Sequence, residues 1–449
     1  MTTSLIQKYN VPGPRYTSYP TVPFWDGDIN INDYLKNIKM TFDKTNSDNG
    51  ISVYIHLPFC ESLCTYCGCN TRITKNHKVE QPYIKNILKE WEMYLEVFGD
   101  TPRISQIHLG GGTPTFFSPE NLSLLIKTIK ESSIVNGDAE FSFEAHPNNT
   151  RAEHLQVLFD LGFTRLSFGI QDFDPKVQEI VNRIQTYEQV EKLTLLAREI
   201  GYSSINYDLI YGLPLQTLDS VIDTIEKVNV LRPDRIAFYS YAHVPWLKTR
   251  QRKFTESDLP ADEKKRELYV EGKKMFEQVG YKEIGMDHFA LETDSLYLAT
   301  KSKKLHRNFM GYSDSHTELM VGLGVSSIGD TWTAFGQNLK DFKAYNQSIE
   351  EGKFPIFRGH ILNDEDLKIR KIILDIMCHF ESKLENLPVA LEDIQTKLKE
   401  IEDDGFIEYK NNTLFVTEKG IPFVRNICMQ FDARLKRKKS EKQLFSKTI

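Results

Sequence analysis

Between residues 51 and 241, six short apolar runs alternate with stretches of helical period. The strand candidates are 51–57, 104–109, 140–145, 165–170, 205–210 and 235–241, and the helical stretches 80–97, 119–131, 151–161, 174–199 and 216–230. Alternation of this kind, with strands apolar on both faces, belongs to a parallel sheet covered by helices. Six units, where eight would close a barrel, predict an α/β fold built on an incomplete (βα)6 barrel. Parallel barrels place their chemistry at the C-terminal ends of the strands. The first strand runs into a cysteine loop and the second into Gly110-Gly-Gly-Thr-Pro114. The third carries Glu144 before His146-Pro147, and the rest end at Gln171-Asp172, Asp208 and Ala242-His243. Each has an ordinary reading as a turn or a cap. Six on one rim point to a site.

The cysteine loop reads Cys60-Glu-Ser-Leu-Cys64-Thr-Tyr-Cys67-Gly-Cys69. Thiolates at C-x3-C-x2-C spacing, from Cys60, Cys64 and Cys67, suit three irons of a [4Fe–4S] cluster and leave the fourth iron open. Structural zinc would call for a second Cys or His pair farther on, and none follows. Plain structural thiols remain the other reading. Cys69 is expected near the site but not on iron, since a fourth thiolate would close the cluster; its alternative is a small buried thiol. Cys378 and Cys428 read as packing residues. Gly110–Gly112 lets backbone approach a ligand closely, yet it lacks the Lys-Ser/Thr of a P-loop and the spacing of a dinucleotide fingerprint.

The 449 residues predict two or three domains, with a core fed by 40% hydrophobic residues. A net charge of −6 gives no general attraction to nucleic acid or anionic lipid. No apolar run is long enough to span a membrane and residues 1–8 hold no signal core, so a cytoplasmic location is expected. Residues 1–35 are proline-rich and predict an extended arm. Its Arg15, Tyr9, Tyr16, Tyr19 and Phe24 suit a large flat anionic ligand, or else simple packing. Residues 36–330 are read as the catalytic domain, within which His288 and His306 could be ligands or ordinary bonded histidines. Residues 331–449 are read as a mainly helical, winged-helix-like domain, with a hairpin at Asn411-Asn412. Its candidate groove helix, 391–404, is strongly acidic, which argues against DNA. The basic run 434–439 reads as a solvated helix end.

The cysteine loop with Gly110–Pro114 resembles the radical S-adenosylmethionine (SAM) superfamily. Within it, segments 8–20, 54–70, 108–115, 165–173, 207–214, 241–245, 285–290, 305–312 and 425–432 are similar to the oxygen-independent coproporphyrinogen III oxidases. The resemblance implies a [4Fe–4S] cluster on Cys60, Cys64 and Cys67, with a first SAM chelated at the open iron. It implies two SAM molecules, one touched by Tyr54, Gly111, Glu144 and Ile328. The other would meet Tyr66, Gly112, Thr113, Gln171, Arg183, Asp208 and Ala242. Cys69, Tyr54 and Arg183 stand as catalytic candidates. Reductive cleavage of SAM would give a radical that takes hydrogen from a substrate propionate. Loss of CO2 and an electron then leaves a vinyl group, and two rounds convert coproporphyrinogen III to protoporphyrinogen IX. The implied partners are a reductant such as flavodoxin or ferredoxin and an electron acceptor of unspecified kind, the chain itself being a monomer. Two departures stand out: Tyr66 where phenylalanine can occur, and Ala145-His146-Pro147 where Val-Asp-Pro is familiar. A haem chaperone and a haem-opening enzyme share this fold, but Cys69, Arg183 and the Pro-Arg-Tyr-Thr-Ser-Tyr arm favour the oxidase.

Overall fold

The computed structural model describes residues 3–25, 27–246, 249–437 and 444–448. Helix α1 (Thr3–Tyr9) opens the chain and α2 (Ile31–Thr45) follows the proline-rich segment. The Asn30 side chain accepts from the Asn32 amide at 2.9 Å and so caps α2. That helix buries Tyr34, Ile38, Thr41, Phe42 and Thr45, a stripe at helical spacing. Strand β1 (Ile51–Leu57) then leads into a short parallel ladder, β2 (Phe59–Cys60) with β3 (Arg72–Ile73), which brackets the cysteine loop.

The βα repeat follows. Helix α3 (Glu80–Phe98) precedes β4 (Arg103–Gly111), α4 (Pro119–Glu131) precedes β5 (Ile134–Ala145), and α5 (Ala152–Asp160) precedes β6 (Phe163–Gln171). Next come α6 (Pro175–Ile180), α7 (Tyr187–Ile200), β7 (Ser204–Tyr211), α8 (Leu218–Leu231) and β8 (Arg235–Ser240). Strands β1 and β4 to β8 pair in parallel, in chain order, as the alternation predicts. The core between sheet and helices is filled by Val53, Ile55, Ile107, Leu109, Phe143, Phe168 and Tyr207.

The helix expected over 174–199 is instead two. Asn182 takes a left-handed φ of 54°, and the Gln178 side chain bonds the Asp172 and Gln185 carbonyls, both at 2.9 Å. Thr186 then caps α7 by accepting from the Gln189 amide. The break carries Arg183.

Beyond β8, the chain adds α9 (Asp262–Gln278), β9 (Tyr281–Gly285), β10 (His288–Leu291) and α10 (Ser295–Lys301). A small hairpin, β11 (His306–Asn308) with β12 (Gly311–Ser313), stands apart. Strand β13 (Met320–Leu323) pairs in parallel with β1 and continues antiparallel through β14 (Ile328–Asp330), β15 (Ala334–Asn338) and β16 (Ile356–Ile361), with α11 (Phe342–Glu350) between the last two. The six-stranded core is thereby widened to a 12-stranded mixed sheet, with β10 and β9 at its other edge. The sheet therefore does not stop at residue 330, and a boundary at 331 cuts through the β14–β15 hairpin.

The remainder is α12 (Asp364–His379), β17 (Glu381–Lys383), α13 (Ile394–Asp403), β18 (Ile407–Lys410), β19 (Thr413–Val416), α14 (Val424–Phe431) and α15 (Ala433–Arg437). A β17-β19-β18 sheet and these helices enclose a second core that includes Ile373, Leu398, Phe406, Leu414 and Ile427. Asn411 and Asn412, with φ of 50° and 58°, form the two-residue hairpin. Cys378 and Cys428 are buried here. Arg434 and Arg437 pair with Asp366 and Glu365, so the basic run is partly built into the fold; Lys438 and Lys439 lie outside the described residues.

The N-terminal reading needs two corrections. Residues 3–9 are helical, because the prolines that forbid a helix begin only at Pro12. The aromatic residues of the arm are buried rather than open to a ligand: Tyr9, Tyr16 and Tyr19 complete the second core, and Phe24 packs on Phe445. Residue 36 falls inside α2, not at its edge. No helix among the described residues is long and apolar enough to cross a membrane.

Candidate functional site

The C-terminal ends of β1 and β4 to β8 face a cavity of about 270 Å3. From the cysteine loop it is lined by Cys60, Cys64, Tyr66, Cys67 and Cys69. The strand ends contribute Gly111, Gly112, Thr113, Glu144, Gln171 and Asp208, and the break after α6 contributes Arg183. Tyr54, Ala242 and Ile328 do not line it. Tyr54 lies in β1 beneath the rim, its hydroxyl 3.1 Å from His56 Nδ1 and its ring stacked on His108. The Ala242 carbonyl accepts from Gln251 Nε2, which also donates to the Tyr66 carbonyl, both at 3.2 Å. Ile328 packs beside Trp25 and Phe335 at the far edge.

Hydrogen bonds fix the loop. The Thr65 amide donates to the Val181 carbonyl at 3.0 Å, and Asn182 Nδ2 to the Leu63 carbonyl at 2.7 Å. The helix break is thus stitched to the cysteine loop. Arg183 is oriented by donating Nε to the Gly169 carbonyl at 3.1 Å, which leaves Nη1 3.7 Å from Cys64 Sγ. Cys60 Sγ lies 3.3 Å from Thr113 Oγ1.

The glycines have a steric cause. Gly111 sits at φ 115°, and a Cβ there would come within 2.7 Å of the His56 ring. A Cβ on Gly112 would approach the Pro58 carbonyl to 2.6 Å. Only glycine lets β4 close against the end of β1 at this point.

The carboxylates differ in character. Burial pushes the Glu144 carboxyl up, but His108, 3.7 Å away, and the Gly111 N–H at 3.1 Å outweigh it, so the group stays below the usual range. Asp208 is pushed up to about 6, by burial first and then by the charge of Glu144. Its oxygens accept from Ser167 at 3.0 Å and Asn206 at 2.9 Å. His146, also on the wall, is held neutral, far below its ordinary range, by burial and the nearby Arg183.

Other lining residues escaped the sequence reading: Thr71, Ser167, Gly169, Tyr239 and Arg250. Ser167 could have been found, since it lies in a strand already placed and points the same way as Gly169 and Gln171. Arg250 comes from a short 3-10 turn far along the chain, held by a 3.1 Å bond to Thr71. His288 bonds the Met286 carbonyl at 2.7 Å and lies 3.3 Å from the Tyr239 hydroxyl, while the His306 ring lies tilted against His316 with centroids 4.0 Å apart. Both are held in protein contacts.

The donor set fits an iron–sulfur cluster: three part-buried thiols on one loop, facing a shared cavity, with a fixed cation beside one of them. Residues 54–228 match the radical SAM superfamily, and the parallel sheet with this loop defines a radical SAM fold. At full length the chain is 39% identical to the oxygen-independent coproporphyrinogen III oxidase of Helicobacter pylori, over 98% of both sequences. It is 38% identical to that of Escherichia coli, over 99% of this chain and 98% of the relative. The solved E. coli coproporphyrinogen III oxidase, HemN, described as a radical SAM enzyme, superposes with a TM-score of 0.88 at 35% identity, covering 96% of this chain and 98% of that one. This chain belongs to the oxygen-independent coproporphyrinogen III oxidase family.

Proposed function

We propose that the chain oxidatively decarboxylates two propionate side chains of coproporphyrinogen III to vinyl groups, giving protoporphyrinogen IX for porphyrin and haem biosynthesis. The observation that carries this reading is the cavity itself. Three thiols, a buried arginine and two unlike carboxylates meet at the strand ends of a chain that matches oxidases of this name from end to end.

Cys60, Cys64 and Cys67 would hold a [4Fe–4S] cluster, and the cavity two SAM molecules. Together these groups supply a reductive bond cleavage and a radical strong enough to take hydrogen from carbon. The protein's task is to bind, orient and keep water out. Glu144, ionised and near the Gly111 amide, suits an ammonium group, with Gly111 beside it, while Tyr54 and Ile328 lie off the cavity and stand as candidates through the family resemblance alone. Arg183 has Nε engaged by the Gly169 carbonyl and Nη1 at Cys64 Sγ on the cavity wall, a fixed cation that suits a carboxylate. Asp208 keeps acceptor capacity for ribose hydroxyls, with Tyr66, Gly112, Thr113 and Gln171 on the same cavity and Ala242 off it. Cys69 lines the cavity and, as a thiol left over after three ligands, would act on substrate.

Each round removes one hydrogen atom, one CO2 and one electron from a propionate, so a reductant such as flavodoxin or ferredoxin and a separate electron acceptor are required. A monomer in the cytoplasm fits these partners. The test is anaerobic incubation of the reconstituted protein with dithionite, SAM and coproporphyrinogen III. Protoporphyrinogen IX should appear with methionine and 5′-deoxyadenosine. Unchanged substrate alongside normal SAM cleavage refutes the substrate assignment.

A further inference from the structure

Two guanidinium groups line the cysteine cavity, those of Arg183 and Arg250. Arg183 is engaged by the protein on its Nε–Nη2 edge, where both nitrogens donate to the Gly169 carbonyl, and its Nη1 lies at Cys64 Sγ. Arg250 is held the other way round. Its Nη1 donates to Thr71 Oγ1 at 3.1 Å, and among the described residues Nε and Nη2 have no hydrogen-bond partner. The carboxylates on the same cavity do not pair with it. Glu61 lies 3.7 Å from His77, Glu144 lies 3.7 Å from His108, and Asp208 accepts from Ser167 and Asn206.

A part-exposed arginine with free donors is ordinarily a solvated side chain, but the mounting of Arg250 is that of a fixed group. Its neighbour Gln251, 2% exposed, accepts from the Val244 amide at 2.7 Å and donates to the Tyr66 and Ala242 carbonyls at 3.2 Å. The turn is therefore tied to the cysteine loop at Tyr66 and again, through Arg250 itself, at Thr71. Nε and Nη2 form one edge of the guanidinium, the pair of parallel donors that a carboxylate takes bidentately. The size of the cavity decides which carboxylate can reach it. At about 270 Å3 it falls just below the roughly 300–1,000 Å3 of pockets that enclose a drug-sized ligand. A tetrapyrrole with four propionates is larger than that, so one propionate can enter while the macrocycle and its other side chains stay at the mouth.

We infer that Arg250 binds a propionate of the tetracarboxylate substrate on its free Nε–Nη2 edge, at the mouth of the cysteine cavity, and so fixes the macrocycle while another propionate reaches inside. The inference rests on the proposed substrate and adds a residue to its recognition. Because Thr71 and Gln251 already hold the turn, little ordering remains to be done on binding. The carboxylate of SAM carries the same chemistry, and a separate SAM titration tells the two sources apart.

The test uses anaerobically reconstituted full-length protein, wild type and Arg250→Gln, titrated separately with SAM, with oxidised coproporphyrin III as a stable probe, and with its tetramethyl ester. The variant should bind coproporphyrin III about ten-fold more weakly, the loss of one charge-assisted contact at a part-exposed site. Its affinity for the ester, which has the same macrocycle and no anion, should match wild type, as should its SAM affinity and iron content. Equal coproporphyrin III affinity in the two proteins overturns the inference. So does an equal loss for acid and ester, which would mark a structural residue, or a loss of SAM affinity, which would give the arginine to the SAM carboxylate. Failure of the wild type to bind coproporphyrin III at all would instead overturn the substrate reading, and this inference with it.

Discussion

Asp208 and Arg183 lie on one cavity wall and carry opposite charges, yet they are set up differently. Asp208 titrates near pH 6, so it crosses from a neutral acid to a carboxylate within the working range of an enzyme. In its proposed role the carboxylate would accept from ribose hydroxyls; protonated, it loses acceptor strength. SAM affinity, measured by equilibrium dialysis, should therefore fall as pH drops through about 6, and Asp208→Asn should bind weakly with no such step. A flat wild-type profile from pH 5 to 8 contradicts the assignment. Arg183 is charged throughout, so its prediction is one of magnitude. Arg183→Ala should lose roughly 1.5–3 kcal/mol of binding and most of its turnover while keeping the cluster spectrum; near-normal turnover refutes the role. Much of this was legible. The cysteine spacing and the polar residue at each strand end pointed to one rim. Tyr239 and Arg250 were not, because a tyrosine in a strand looks like ordinary sheet sequence and Arg250 arrives from 183 residues beyond Cys67.

Among the elements, the sequence reading holds for the parallel strands, where apolar content on both faces is a strong signal. It fails at the α6–α7 break, since the helical period runs through it and only the Gln178–Gln185 contacts and the Asn182 backbone reveal the turn. The added strands β13 to β15 also go unread, being three to five residues long, each with a glycine. Helix α12 offers a test of how the domains are tied. Burial would raise the Asp366 carboxyl, but His360 and Arg434 outweigh it and hold the group at about 2, below the usual 3.8. A depressed folded pKa contributes stability above pH 3.8, and that contribution is lost as pH falls through about 2. Asp366→Asn removes the buried carboxylate that pairs with Arg434 and should cost about 3–5 kcal/mol at neutral pH. Urea melts should show this gap at pH 7 and a narrowing below pH 4; coincident melts at pH 7 contradict it.

On the scale of the whole molecule, the arm, the widened sheet and the C-terminal unit form one connected body. Arg15 donates to the Ser240 carbonyl at 2.9 Å, the Tyr16 hydroxyl donates to Asp432 at 3.1 Å, and Arg425 donates to the arm's Pro14 carbonyl at 2.9 Å. These links span hundreds of residues, and no local pattern announces them. The C-terminal unit has the outline of a winged helix, but Lys397 and Lys399 of α13 are already paired with Asp393 and Asp403. Gel-shift titration should find no salt-sensitive binding to duplex DNA, and a clear shift would reassign that unit. The central claim is an open-site cluster on three of the loop's four cysteines. Its most direct test is the iron and sulfide content of the four single Cys→Ser variants after anaerobic reconstitution. Loss at Cys60, Cys64 and Cys67, with a full complement retained in Cys69→Ser, is the predicted result. An empty Cys69→Ser protein, or a full cluster in any of the other three, would contradict it.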